Sequence, residues 1–420
     1  MYQKTTLDNG LRLITANMPH TRSVSICIFI GTGSRYETDA EAGISHFIEH
    51  LIFKGTEKRP TAIEISTVIE GTGGTINAGT DKELTVYYCK VAQSHFITAL
   101  DVLADMLLNS KFEPVEIERE RQVIIEEIHM SIDAPSQRVA MLTDELLWYR
   151  HPLGRDIAGS PGSVTAITRE MILDYLETQY SPSNVTVAIA GNIQNQEVET
   201  AVNRALGKWT GRHPNPEYQS FKAQATPKIR IETRETEQVQ LCLALPGLSL
   251  FHPKRFTLGL LNVILGEGMS SRLFSEIRDN QGLAYSINSR AEHFLDTGSI
   301  TISAGVERKN LQVAIKAILG ELSKLKEEIP ASEITKAKEY SKGRLVLRME
   351  DSRSVAGWMG GQEILIGDIL SIDQVISIVD AITAGELQQI AEELLVSNQL
   401  RLAIVGPVPQ DELLEELLEL

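Results

Sequence analysis

The stretch Gly43-Ile44-Ser45-His46-Phe47-Ile48-Glu49-His50-Leu51-Ile52-Phe53-Lys54-Gly55 combines a helical apolar pattern with side chains that can serve a metal ion. At about 100° per residue, His46, Glu49 and His50 fall on one face of this helix, and apolar residues fill the other. Two imidazoles one turn apart can bind one zinc ion, and the carboxylate between them can take a proton from water at the metal. The pattern therefore indicates the chemistry of a hydrolase.

The same motif has a simpler interpretation, because histidines on a buried helix are often hydrogen-bonded core residues. Taken alone, the motif leaves both interpretations open. A catalytic zinc ion usually has three protein ligands and one open position. The metal interpretation therefore requires a third ligand from elsewhere in the chain.

A second informative helix is predicted for residues 114–131. Its apolar stripe is expected to contain Ile117, Val123, Ile124, Ile128 and Met130. Its solvated face is expected to contain Glu118, Arg119, Arg121 and Glu126. Glu120 and Glu127 lie within the apolar stripe, where a carboxylate is costly unless a positive group meets it. The periodicity therefore selects Glu127 over Glu126 as the third ligand. Glu120 becomes a supporting acid, either behind the ligands or on the substrate side.

The composition is that of a globular protein and restricts the class of partner. The chain has 420 residues, of which 42% are hydrophobic and 23% charged, and its net charge is −16. That charge argues against nucleic acid and anionic membrane surfaces as partners. Basic or unfolded peptides would suit it, although acidity is also a common solubility device.

Cysteine usage and the start of the chain bear on the compartment. Cys27, Cys89 and Cys242 form no close pair and no metal-type spacing, which fits a reducing compartment. Residues 2–14 predict a β-hairpin, and no targeting segment or apolar run of about 18 residues is found. For a full precursor, the expected location is cytoplasmic.

The second half of the chain repeats the order of elements in the first. Residues 23–30 alternate like a half-buried strand and lead into a glycine loop, as residues 238–247 do. A repeat of about 200 residues points to a duplicated domain. The expected division is 1–210, a linker at 211–225, and 226–420. The matching helix of the second half, 256–265, contains no metal-ligand residue.

The order His-x-x-Glu-His, with a glutamate on a later helix, resembles the inverzincins of the pitrilysin family. The similarity is to the short-chain branch that contains bacterial processing-type proteases and the mitochondrial processing peptidase. Glu120 matches the family's additional acid. Asn77, Ala78 and Gly79 lie in a segment that resembles its substrate-binding edge strand. In the second half, residues 269–285 resemble the segment with the family's Arg/Tyr pair, at Arg278 and Tyr285.

The resemblance implies a fold and an assembly. The expected fold class is α+β, with two homologous domains that face each other across a chamber. Each domain is expected to hold a mainly antiparallel sheet packed with helices. Short chains of this branch pair, so a homodimer is expected, with the first domain of one subunit opposite the second domain of the other.

The resemblance also implies a mechanism, in which His46, His50 and Glu127 bind zinc and Glu49 is the general base. Tyr285 would then stabilise the oxyanion and Arg278 would hold the substrate. The implied activity is endopeptidase cleavage of unstructured peptides bound along Asn77, Ala78 and Gly79. The alternatives are a targeting-peptide processing protease and a non-catalytic core subunit of the same fold.

Overall fold

The computed structural model describes residues 2–211, 217–224, 226–410 and 412–420. Of the linker expected at 211–225, residues 212–216 and 225 lie outside the described residues. The chain forms two compact units. Unit 1 comprises Met1–Ile128, Asp156–Gln219 and Val346–Ser371, and unit 2 comprises His129–Arg155, Ser220–Leu345 and Ile372–Leu420. Each unit is built around one β-sheet.

The sheet of unit 1 has six strands. These are β1 Gln3–Thr6, β2 Arg12–Asn17, β3 Ser23–Ile30, β4 Thr75–Thr80, β5 Thr85–Ala92 and β6 Val185–Gly191. Their order is β1-β2-β6-β3-β5-β4. Strands β2 and β6 pair in parallel, whereas the other neighbours are antiparallel. Strand β4 is therefore an edge of the sheet, with one side unpaired by the other strands.

The sheet of unit 2 repeats this topology. Its strands are β7 Ile229–Thr233, β8 Val239–Pro246, β9 Ala284–His293, β10 Gly298–Val306 and β11 Arg401–Gly406. Their order is β7-β11-β8-β10-β9, which is the order of β2 to β6 when the strands are matched along the chain. The parallel pair, β7 with β11, also corresponds. The predicted α+β class, with two homologous domains and mainly antiparallel sheets, is confirmed.

Helices fill the sequence between the strands. They are α1 Ile44–Ile52, α2 Ala62–Glu70, α3 Phe96–Asn109, α4 Pro114–Asp133, α5 Pro135–Leu147, α6 Pro161–Ala166, α7 Arg169–Gln179, α8 Asn195–Leu206, α9 Arg255–Gly266, α10 Leu311–Lys324, α11 Ala331–Arg348, α12 Ser352–Ile366, α13 Ile372–Ala381 and α14 Ala384–Leu394. A π-type helical segment, Phe274–Asn280, precedes β9. Within the described residues, no helix has the length and apolarity needed to cross a membrane.

Each half of the chain gives one helix to the unit formed mainly by the other half. Helix α12 lies between β10 and β11 in sequence, yet its Ala356 and Met359 belong to the same buried cluster as Phe29 of β3. Helix α5 lies between β5 and β6, yet its Leu142 shares a buried cluster with Cys242 of β8. The compact units therefore differ from the contiguous division at 1–210 and 226–420, because these apolar helix faces are buried on the sheet of the other half.

The exchanged helix α12 changes the environment of β3. Strand β3 is buried along its whole length after Ser23, not half-buried as its alternation indicated, because both of its faces are covered. Helix α12 approaches β3 closely at Gly360, where an added Cβ would collide with the ring of Phe29. Glycine at this position allows the helix to lie directly on the strand.

Helix α4 differs from its predicted stripe. Val123 and Met130 are 43% and 70% exposed, whereas Arg121, assigned to the solvated face, is buried. The Arg121 guanidinium donates to the carbonyl oxygens of Val164 and, at 3.0 Å, Ile167. Burial of an arginine is tolerated because these carbonyls satisfy its donors.

Candidate metal centre

Helix α1 begins at a glycine that the backbone requires. Gly43 has φ 97°, a backbone conformation that residues with a side chain rarely adopt. A Cβ at this position would also lie only 2.5 Å from the carbonyl oxygen of Ala158, so both the backbone and the space require glycine. The N–H groups of Gly43 and Ser45 donate to the buried carboxylate of Glu37 at 2.8 and 2.9 Å. These bonds satisfy donors that a helix start leaves unpaired. With its apolar face buried, α1 presents its polar face in one fixed direction.

The three side chains predicted as metal ligands come together. One donor atom from each of His46, His50 and Glu127 lies within 4.8 Å of the other two, and this is the one such group of His, Cys, Asp or Glu among the described residues. The ring centroids of the two histidines are 4.6 Å apart. Nε2 of His50 lies 3.5 Å from Oε2 of Glu127. All three side chains are half-buried, so the cluster is open on one side.

Helix α4 distinguishes the two neighbouring glutamates that could complete the cluster. Glu127 is half-buried and faces His50, whereas Glu126 is exposed. The next residue, Ile128, is buried in the core and fixes this rotation of the helix. The geometry agrees with the choice of Glu127 from the helical period.

Glu120 bridges the cluster to a lysine. Its Oε2 lies 3.1 Å from Nδ1 of His50, and its Oε1 lies 2.7 Å from Nζ of Lys54. Glu120 itself is only 5% exposed. Burial acts to raise the pKa of this carboxyl, but the hydrogen bonds from His50 and Lys54 outweigh burial, and the net shift is downward. Lys54 is therefore the positive partner that a carboxylate in an apolar stripe requires.

The ionised state of Glu120 determines how His50 is oriented. An ionised carboxylate can only accept hydrogen bonds, so Nδ1 of His50 carries the proton and donates it to Glu120. Nε2 lies on the side of Glu127, and in the neutral imidazole that ligates metal ions it is the nitrogen with the lone pair. A histidine that donates one ring N–H to a carboxylate while the other nitrogen faces a metal is a recurrent arrangement in metal sites.

His46 is held in the neutral form. Burial lowers the pKa of His46, and the neighbouring His50 lowers it further, although nearby carboxylates act in the opposite direction. Its buried Nδ1 makes no hydrogen bond to any described residue. Neutral imidazole is the form that ligates metal ions.

The residues present fit zinc. Two imidazole nitrogens and one carboxylate oxygen are a donor set of catalytic zinc sites, in which a fourth position is left for water or substrate. The fit rests on the short separations within the cluster and on the position of Nε2 of His50, which faces Glu127 while Nδ1 contacts Glu120.

Glu49, the predicted general base, is tied to the sheet edge. Its Oε2 accepts a hydrogen bond of 2.6 Å from the hydroxyl of Thr80, the last residue of β4. The carboxylate is half-buried and lies on the same helix face as the two histidines. Strand β4 therefore places the end of the sheet edge directly beside this carboxylate.

The predicted substrate-binding residues Asn77, Ala78 and Gly79 lie on β4. Strand β4 pairs with β5 on one side and is the last strand of the sheet on the other. Asn77 is exposed, and Ala78 and Gly79 are half-buried. An extended peptide can add to such an edge through backbone hydrogen bonds.

Arg278 and Tyr285 form a pair within unit 2. The Arg278 guanidinium carbon lies 5.7 Å from the centre of the Tyr285 ring and 4.6 Å from that of Phe274. Tyr285 is 76% exposed, with its ring on the surface of unit 2 at the start of β9. The two residues matched to the Arg/Tyr pair are thus adjacent and accessible.

Two contributors to the site were missed from the sequence. Thr80 is an uncharged residue at a strand end, and no sequence signal connects it with Glu49. Lys54 did have a signal, since it follows His50 by one helical turn and carries the charge that Glu120 required.

Family models match most of the chain. A model described as "Insulinase (Peptidase family M16)" matches residues 12–160. A model described as "Peptidase M16 inactive domain" matches residues 166–340. The first match contains the whole metal cluster, and the second contains Arg278 and Tyr285.

Relatives and solved structures agree with these matches. A protein of Bacillus subtilis described as an uncharacterized zinc protease is 36% identical over 413 residues, which cover 97% of this chain and 98% of the relative. A protease structure from Helicobacter pylori superposes with a TM-score of 0.90 at 23% identity, covering 97% of this chain and 99% of that one. A chain of complex III2 from Candida albicans superposes with a TM-score of 0.85 at 19% identity, covering 99% and 98%. The two structural matches show the fold alone.

Proposed function

Because the chain belongs to peptidase family M16, whose curated relatives are named zinc proteases, we propose that it is a zinc-dependent endopeptidase for unstructured peptides. The cofactor of these relatives is zinc. The observation that carries the proposal is the convergence of His46, His50 and Glu127 within 4.8 Å of one another. These residues come from two separate helices, and nothing in packing alone requires two histidines and a carboxylate to meet.

The proposed reaction divides between the metal and Glu49. His46, His50 and Glu127 would hold zinc, which when bound would supply Lewis-acid chemistry to the scissile carbonyl and to water. Glu49 takes the proton of the attacking water and later gives it to the leaving amine. The Thr80 hydroxyl holds one oxygen of Glu49 at 2.6 Å, which leaves the other oxygen for the proton.

Glu120 is proposed to support the ligands and not to contact substrate. Both of its oxygens are already engaged, one by His50 and one by Lys54. The sequence left two roles open for Glu120, one behind the ligands and one on the substrate side, and the geometry favours the first.

The substrate is proposed to lie as an added strand along Asn77, Ala78 and Gly79. Backbone hydrogen bonds to β4 would give affinity with little sequence preference. Only an extended chain can make these bonds, so folded proteins are expected to be poor substrates. An enclosed chamber would strengthen that selection.

Arg278 and Tyr285 are proposed to act on the substrate, Tyr285 at the oxyanion and Arg278 at a carbonyl or carboxylate group. Their adjacency and exposure in unit 2 support this role. We further propose a homodimer, as expected for short chains of this family, and a cytoplasmic location, as the cysteine usage indicates. Size-exclusion chromatography with light scattering tests the dimer.

The likeness to complex III2 raises a second candidate, a non-catalytic core subunit. The assembled ligands favour the peptidase, since a scaffold has no need of an oriented histidine beside a carboxylate. Within the peptidase class, a targeting-peptide processing protease is separated from a general peptidase by comparing native precursors with random peptides.

The test is cleavage of a quenched fluorescent peptide that has no fixed structure. The zinc-loaded protein is expected to cleave it, the chelator-treated protein to be inactive, and added zinc to restore activity. The same peptide placed within a folded domain is expected to survive. A protein that binds zinc and cleaves no peptide of a diverse set would favour the core subunit.

A further inference from the structure

Lys54 occupies a fixed position behind the metal cluster. It follows His50 by four residues and the end of α1 by two, and both side chains contact Glu120 of α4. Its N–H donates to the carbonyl of Leu51 at 3.0 Å, and Gly55, with φ 137°, turns the chain away immediately after it. The backbone therefore fixes the origin of the lysine side chain.

Lys54 and His50 together contact both oxygens of the buried Glu120 carboxylate. Nζ of Lys54 lies 2.7 Å from Oε1 of Glu120, while Nδ1 of His50 lies 3.1 Å from Oε2. A glutamate carboxylate that is hydrogen-bonded at one oxygen can rotate about its Cγ–Cδ bond, whereas one bonded at both oxygens cannot. The lysine charge also offsets that of Glu120, which is costly to bury without a partner.

Other cations nearby make no such contact. Lys54, Lys111 and Arg119 line one cavity of about 310 Å³. Lys111 pairs with Glu113 at 3.5 Å, and Arg119 pairs with Glu116 at 2.7 Å. Lys54 is the member of this set that reaches Glu120.

We propose that Lys54 is a positioning residue for the metal centre. By holding Oε1 of Glu120, it fixes Oε2 against Nδ1 of His50 and so aims Nε2 of His50 toward Glu127 and the metal position. Its effect passes entirely through Glu120. The inference rests on the proposed zinc site, and it assigns a role to a side chain that contacts neither zinc nor substrate.

The test is the zinc affinity of the purified full chain, measured by competition with a chromogenic chelator. Lys54→Met keeps the length of the side chain and removes its charge, and it is expected to weaken zinc binding about 10-fold. Lys54→Arg keeps the charge and is expected to restore most of the affinity. Lys111→Met is the matched control, since it removes a lysine from the same cavity and is expected to leave zinc affinity unchanged.

A double-mutant cycle tests the route of the effect. In a Glu120→Gln background, Lys54→Met is expected to cause no further loss, because the residue through which it acts is already altered. Independent, additive losses would overturn the proposal, as would wild-type affinity in Lys54→Met or an equal loss in Lys111→Met. If Lys54→Met does not fold, as judged by thermal unfolding of the zinc-free protein, Lys54→Gln takes its place in the cycle with the same expectations.

Zinc binding by the unaltered protein and by the variants separates failure of the proposed zinc site from failure of the role proposed for Lys54. If the unaltered protein does not bind zinc, or binds it equally well after His50→Ala, the proposed zinc site is wrong. If the unaltered protein binds zinc through His50 and Lys54→Met binds it equally well, only the role of Lys54 is wrong.

Discussion

Helices α1 and α9 occupy matching places in the two units and carry opposite chemistry. Each is the first α-helix after a matching inner strand of its sheet, β3 or β8. On α1, His50 and Glu49 take partners from α4 and β4, and a cluster of potential ligands remains open on one side. On α9, the buried Asn262 accepts a 2.7 Å hydrogen bond from Ser289 of β9, within unit 2.

The difference teaches that the sheet order is the scaffold and that a few side chains decide the chemistry. Both units keep the same strand order and both accept one helix from the other half of the chain. In unit 2 the side-chain oxygen of the buried Asn262 is paired with Ser289 of the same unit, and α9 contains no histidine or carboxylate. In unit 1 the polar groups orient one another and leave donor atoms facing a common point.

The largest difference between the two units is expected to be lost in Glu49→Gln, which removes the proposed general base from α1. Glutamine cannot accept the proton, so peptide cleavage is expected to fall about 10³-fold. Zinc content should stay that of the unaltered protein, since Glu49 is not part of the ligand cluster. The measurement is cleavage of the quenched peptide together with metal analysis. Glu126→Gln, on an exposed residue of α4, is the control, and full turnover by Glu49→Gln would remove it as the base.

The role proposed for Tyr285 is tested by Tyr285→Phe. If Tyr285 donates to the oxyanion, loss of its hydroxyl is expected to lower kcat about 10²-fold without changing zinc content. Tyr340→Phe is the matched control, because Tyr340 also lies in unit 2 and also stacks with an arginine, Arg344. Equal losses in both variants would show a packing effect and not a role at the oxyanion.

Mixing inactive subunits tests whether the proposed dimer shares its sites. If each site combines Glu49 of one subunit with Tyr285 of the other, a mixture of Glu49→Gln and Tyr285→Phe proteins regains activity. One site of the mixed dimer then has both residues intact. No recovery would indicate that each chain is complete by itself.

A smaller effect is expected from Thr80→Val. This change removes the hydrogen bond to Glu49 and keeps the shape, so kcat is expected to fall about 10-fold, while KM is expected to stay within about twofold. Thr75→Val, at the exposed start of the same strand, is the control. A change in KM alone would mean that Thr80 contributes to the substrate edge and does not orient the base.

Protein stability, and not catalysis, tests the helix exchange that the two units share. Gly360→Ala is expected to destabilise the protein by about 1–3 kcal/mol, because its methyl group meets the Phe29 ring. Gly361→Ala meets no neighbour within 4 Å and is expected to be neutral or stabilising by up to about 1 kcal/mol. Urea unfolding measures both, and equal stabilities would mean that α12 is not packed closely on β3.

The sequence was sufficient where a local period decides the outcome. Strand β3 spans the predicted residues 23–30, and helix α4 turns Glu127 toward His50 and Glu126 to solvent, although its period misplaced Val123 and Met130. The duplicated domain could be predicted because the second half of the sequence repeats the order of strands and helices in the first. These features depend on residues near one another in the chain.

The rest depended on partners that are distant in sequence. Arg121 is buried because carbonyls beyond the end of α4 accept its hydrogen bonds, and periodicity carries no information about them. Likewise, the apolar faces of α5 and α12 predict burial but not the sheet on which they are buried. Thr80 reaches Glu49 only after β4 and α1 have packed together.

The most direct test of the central claim is zinc stoichiometry by mass spectrometry of the native protein. The claim is that His46, His50 and Glu127 bind one ion together. About one zinc per chain is expected in the unaltered protein and in Glu126→Gln, and far less in Glu127→Gln. Zinc retained in Glu127→Gln, or lost in Glu126→Gln instead, would contradict it.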